Sequence, residues 1–128
     1  MNLLLDTHSF IWWANTPEKL SKESLAACQN KDNVLVLSAV SVWEMQIKIQ
    51  LGKLKLKSPL KNLVELQQQT NDLRILPVEL DHVLALSELP THHKDPFDRL
   101  LVAQAKVEEM SLVSADKMVH KYPVQILW

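Results

Sequence analysis

Leu3-Leu4-Leu5-Asp6-Thr7-His8 places three consecutive apolar residues directly before an acid. The run does not alternate with polar residues and is too short for a helix. That suits a strand buried on both faces of a parallel sheet. Val34-Leu35-Val36-Leu37 repeats the pattern and ends at Ser38. Ile75-Leu76-Pro77-Val78, then Leu112-Val113 before Ser114, and finally residues 124–128 supply three more candidates. Helix signals fall between these runs. Ser21 precedes 22–29, and Ser41 opens a stretch to Leu51 with Gly52 placed to end it. Ser58-Pro59 gives a cap and a first-turn proline before 60–70. A stretch at 80–89 stops at Pro90, and Asp95-Pro96 opens a last helix to about Glu109. There Phe97, Leu100, Leu101 and Ala105 share one face. Strands alternating with helices predict a three-layer α/β/α fold around a central parallel sheet of about five strands. With no linker or repeat, residues 1–128 read as one domain.

Composition narrows the function classes. A chain of 128 residues with 47% hydrophobic and 23% charged residues can bury a core, which argues against disorder. The 14 basic and 15 acidic residues leave a net charge of −1, excluding a general polycation but not a local basic face. Gly52 is the single glycine, so the dinucleotide fingerprint, the P-loop and the Gly-x-Ser-x-Gly elbow are all absent. Cys28 is the single cysteine, so no disulfide or Cys-x-x-Cys site forms within the chain. A lone thiol fits a reducing cytoplasm. No basic n-region precedes the first apolar run, which Asp6 interrupts. No apolar stretch approaches the ~20 residues needed to span a bilayer. The expectation is a cytoplasmic protein with no membrane partner.

In parallel sheets, sites form beyond the carboxyl ends of the strands. The residues there are acidic. Asp6 follows the first run, Glu44 sits early in the helix after the second, Asp95 and Asp98 open the helix before the fourth, and Asp116 lies just after the fourth. Each has an ordinary structural use. Ser41-x-x-Glu44 fits a capping box, Asp95-Pro96-Phe97-Asp98 fits an N-cap with a dipole-favoured acid, and Asp6 and Asp116 fit turns. Convergence on one pocket would instead be costly, since like charges at 4 Å repel by about 4 kcal/mol at an effective dielectric of 20. Such a pocket must bind a cation or hold protons. Carboxylates alone suit a hard ion such as Mg²⁺ or Mn²⁺.

Four segments carry a resemblance. They are Leu3-Leu4-Leu5-Asp6-Thr7-His8, Leu37-Ser38-Ala39-Val40-Ser41-Val42-Trp43-Glu44, Asp95-Pro96-Phe97-Asp98-Arg99-Leu100-Leu101-Val102-Ala103-Gln104-Ala105, and Leu112-Val113-Ser114-Ala115-Asp116. In this order and spacing the chain resembles PIN-domain ribonucleases, closest to the VapC-type toxins of bacterial toxin–antitoxin pairs. The resemblance runs from Asn2 to Trp128. It implies a Mg²⁺- or Mn²⁺-dependent endoribonuclease that leaves a 5′-phosphate and a 3′-hydroxyl. By position, Asp6, Glu44, Asp98 and Asp116 match the family's acidic quartet. Asp98 is preferred to Asp95 for the third place because it begins the Asp-x-Leu-Leu-x-Ala pattern. Asp95 is then a supporting group or an N-cap. Ser114 stands where the family often has Thr and keeps the hydroxyl. The implied roles place the metal on Asp6 and Asp98, with Asp116 binding directly or through water. Glu44 either works on the attacking water or holds a second metal. Thr7 and Ser114 would hydrogen-bond carboxylates or metal waters. The resemblance also implies a homodimer and a small antitoxin partner.

Other features are weaker. Lys48, Lys53, Lys55, Lys57 and Lys61 lie between Glu44 and Glu65 with no acid among them, suiting either an RNA backbone or a solvated face. Arg99 suits a phosphate contact or an acid in the pocket. His92-His93 suit a surface loop or RNA, and His8 is expected near Asp6 but facing away. Trp12, Trp13, Trp43 and Trp128 suit core or interface, with Phe10, Ile11 and Trp13 available for self-association. Two other classes compete with the nuclease. One is a non-catalytic RNA- or protein-binding module on the same scaffold. The other is a receiver-like phospho-acceptor domain, which needs an acid beside Asp6 and an Asp directly after Val78; both are missing.

Overall fold

The computed structural model describes residues 1–92 and 95–128. Five strands, β1 (Asn2–Leu5), β2 (Val34–Ser38), β3 (Arg74–Leu76), β4 (Ser111–Val113) and β5 (Ile126–Leu127), form one sheet in the order β3-β2-β1-β4-β5. All four pairings are parallel, with Leu4 opposite both Val36 and Leu112. Between the strands run α1 (Thr7–Asn15), α2 (Lys22–Gln29), α3 (Ala39–Gln50), α4 (Leu60–Asn71), α5 (Leu80–Leu84) and α6 (Pro96–Val107). Among the described residues no helix is long and apolar enough to cross a membrane.

The continuous apolar run of β1 has a direct physical reason. Leu3 and Leu5 pack into one layer with Phe10, Leu35, Leu37 and Met45. Leu4 and Val36 pack into the other, with Leu101, Val102 and Leu112. A central strand covered on both faces has no polar side to alternate with. Full burial of each such side chain contributes roughly 1.5–3 kcal/mol. The edge strand β3 departs from the expected pattern, because Arg74 and Ile75 are exposed. Only its neighbour β2 and partial cover hold it.

Helix boundaries differ from expectation in four places. Pro59 is itself the N-cap of α4, and Ser58 does not cap it. α3 begins at Ala39, because Ser38 reaches its turn first and its Oγ accepts from Val40 N–H at 3.1 Å. Ser41 is therefore buried inside the helix and forms no capping box. The 80–89 stretch is a five-residue α5 followed by a tighter 3₁₀ turn over Ala85–Glu88. α6 ends at Val107, two residues early. Gly52 ends α3 as expected. At φ +72° it lets Lys53 N–H reach the Lys48 carbonyl at 2.8 Å and its own N–H reach the Ile49 carbonyl at 3.1 Å.

Phe10 is not a surface residue, as self-association would need, but is wholly buried. Phe10→Ala is expected to lower the unfolding free energy by about 3–5 kcal/mol, read from urea denaturation. Unchanged stability with only altered self-association would contradict this placement.

Candidate active site

β1 lies at the centre of the sheet. The chain leaves it toward β2 on one side, while β4 returns on the other. That divergence opens a crevice at the carboxyl edge. Asp6 stands at its base, with its backbone N–H tied to the Val113 carbonyl of β4 at 3.1 Å. Its side chain caps α1, accepting from Ser9 N–H at 2.8 Å. Glu44 enters from α3, Asp95 and Asp98 from the start of α6, and Asp116 from the loop after β4. These five acids line one cavity of about 430 Å³, with Thr7, His8, Trp12, Ala115 and Lys48.

The acids are held differently. Asp6 is 6% exposed, and among the described residues no lysine or arginine pairs with it. Burial pushes its carboxyl above the ordinary 3.8, against hydrogen bonds from Ser114 and Ser9 and the nearby His8, which lower it. Glu44 is buried with both oxygens engaged. Thr7 Oγ1 donates to one at 2.7 Å, and Lys48 Nζ pairs with the other at 2.7 Å. Asp95 is the N-cap of α6, accepting from Phe97 N–H at 2.8 Å and Asp98 N–H at 3.3 Å. It caps and lines the cavity at once. Asp116 accepts from Met118 N–H at 2.9 Å, and its own N–H donates to Ser114 Oγ at 3.1 Å. Ser114 thus bridges the Asp6 and Asp116 sides. His120 fixes the same loop, with Nε2 and the Ser114 carbonyl 2.7 Å apart.

Two side chains, Arg99 and His8, stand elsewhere than expected. Arg99 turns away from the cavity toward the carbonyls of Pro90 at 2.9 Å and Leu86 at 3.3 Å and the Tyr122 hydroxyl at 3.2 Å. It braces the segment leading into α6. Lys53, Lys55 and Lys57 lie exposed in the loop after α3, and Lys61 on α4 stands 3.9 Å from Glu65. Lys48 is the lysine of that group that lines the cavity. His8 lines it too, rather than facing away, in a ring series with Trp12 and Trp128. Trp43 is 59% exposed, beside Phe97, and so is no core residue. His92 packs edge-on against Tyr122, and His93 lies outside the described residues. His82 was not singled out by the sequence. It is buried between Glu79, Gln104 and Glu108 and ties α5 to α6. A lone histidine in an apolar helical stretch gives no sequence signal for that role.

The five acids offer oxygen donors, with a desolvated carboxylate at the base, which fits a hard divalent cation. Among the described residues no three acids, imidazoles or thiols stand close enough to cage an ion unaided. Magnesium ordinarily keeps several waters and shares its ligands with substrate phosphate, so a complete protein cage is not required.

An α/β domain with an acidic pocket at the divergence of its central strands defines the class. The PIN-domain family matches residues 3–125, and the chain belongs to that family. It is similar to Ribonuclease VapC22 of Mycobacterium tuberculosis, with 29% identity over 124 residues, 94% of this chain and 93% of that protein. A crystal structure of VapBC2 from Rickettsia felis, bound to a DNA fragment from the promoter, contains a chain alike in fold. Its TM-score is 0.71 at 18% identity, covering 98% of this chain and 97% of that one. A chain in the FitAcB structure from Neisseria gonorrhoeae gives 0.62 at 17% identity, covering 97% and 95%.

The buried Asp6 sets a pH-dependent expectation. Because folding raises its pKa, its contribution to stability is full below the ordinary 3.8 and is lost as pH rises through the raised value. At neutral pH in EDTA, Asp6→Asn should therefore melt above the wild type. The gap should close as pH falls and the wild-type carboxyl gains its proton. A variant that melts lower at pH 7 would contradict the electrostatic reading.

Proposed function

We propose that this protein is a Mg²⁺- or Mn²⁺-dependent endoribonuclease, the toxin of a toxin–antitoxin pair, acting as a single domain over residues 1–128. The observation that carries the reading is the convergence of Asp6, Glu44, Asp98 and Asp116 on one cavity. Membership of the PIN family and the likeness to a relative named as a ribonuclease support it. A bound divalent ion would supply charge stabilisation for the phosphate and an activated water. Asp6, Asp98 and Asp116 are the residues that would hold it. Asp6 is fixed by the α1 cap and by Ser114, so its oxygens are presented without reorganisation. Glu44, clamped by Thr7 and Lys48, is placed to orient the attacking water or take its proton. Asp95 fixes the first turn of α6 and with it the backbone that carries Asp98.

The partners in this reading are an RNA substrate, a second copy of the chain and a small antitoxin. The solved complexes that resemble it in fold, VapBC2 and FitAcB, support the antitoxin partner. A non-catalytic module is disfavoured, because Asp6, Glu44, Asp98 and Asp116 are all kept.

Purified protein incubated with total RNA and Mn²⁺ should give discrete fragments. EDTA should abolish them. Asp6→Asn or Asp98→Asn should reduce cleavage by at least about 100-fold, the scale expected when a group acting on the transition state is lost. Unimpaired cleavage by both variants would refute the site. RNA binding of equal strength with and without metal, and no cleavage, would favour the binding module.

A further inference from the structure

Both oxygens of Glu44 are engaged at 2.7 Å, one by a neutral hydroxyl and one by an ammonium. The Glu44 side chain is 8% exposed and that of Lys48 36%. Both side chains line the cavity, and the ammonium is the more exposed of the two. Lys48 lies one turn beyond Glu44 on α3, so the pair is built into a single rigid element. Among the described lining residues it is the one lysine or arginine in a cavity with five acids. A divalent ion ligated by Glu44 would sit about 2.1 Å from a carboxylate oxygen, within a few ångströms of that ammonium. Two positive charges and one cannot share the corner without mutual repulsion.

We propose that Lys48 is the resident cation of the Glu44 corner. It limits the pocket to one divalent ion, held on the Asp6, Asp98 and Asp116 side, and reserves Glu44 for the water. This rests on the metal-dependent reading above and settles which of the two uses of Glu44 applies. Lys48 is a positioning residue here. It acts through Glu44 and through the charge it places in the cavity. Thr7 holds the second oxygen, so the carboxylate cannot rotate away to follow an incoming ion.

The test is Mn²⁺ binding to the whole purified protein, with free Mn²⁺ read by electron paramagnetic resonance and heats by calorimetry. The wild type and Lys48→Arg should each bind one ion. Lys48→Met should admit a second ion, or bind the first roughly tenfold more tightly. Unchanged or weaker binding by a folded Lys48→Met would overturn the proposal, as would two ions in the wild type. Should Lys48→Met fail to fold, Glu44→Gln is compared with Glu44→Gln/Lys48→Met, which leaves no buried carboxylate unpaired. The double variant should bind its ion more tightly than the single, whose ammonium has lost its partner. Equal affinities would overturn the proposal. Absence of any Mn²⁺ binding by the wild type would instead overturn the metal-dependent reading itself.

Discussion

A desolvated carboxylate at the end of the central strand is the constraint on which the site depends. Asp6 follows β1 directly, and β1 is covered on both faces by packed layers. Its side chain therefore emerges where water is scarce, and burial raises its pKa. The fold tolerates this because the same carboxylate caps α1 and accepts from Ser9 N–H. A helix N-terminus favours negative charge, which offsets part of the desolvation. The rest of the cost remains available to a cation.

The acids around Asp6 are placed by devices that also serve the fold. Asp95 caps α6 and thereby sets the first turn that carries Asp98. Asp116 organises its own loop through Met118, while Ser114 and His120 tie that loop to the end of β4. Glu44 has a salt bridge one turn along its helix and a hydroxyl from α1. A carboxylate that satisfies backbone N–H groups is already immobilised, which suits the chemical use proposed for it. At these positions a capping role is compatible with the proposed catalytic one.

All five strands were legible as short apolar runs, although the third lies at Arg74–Leu76 rather than over 75–78. The exposure of β3 was not, because an edge strand with the same composition looks identical in sequence. Ser41 misled because Ser38, three residues earlier, offers the same capping chemistry and starts α3 first. The candidate acids were legible from their positions after strands. Their partners were not. In the sequence Lys48 belongs to a basic run, but helical spacing returns it to Glu44. Arg99 sits beside Asp98 in sequence, yet the helix directs it to the carbonyls of Pro90 and Leu86. The cavity-lining place of His8 and the brace formed by His120 depend on tertiary packing that no local pattern encodes.

The most direct test of the central claim is anomalous diffraction from crystals of the protein grown with Mn²⁺. The account predicts a manganese peak inside the acidic cavity, with Asp6, Asp98 and Asp116 on its shell directly or through water. A peak elsewhere, or none in that cavity at saturating Mn²⁺, would contradict it.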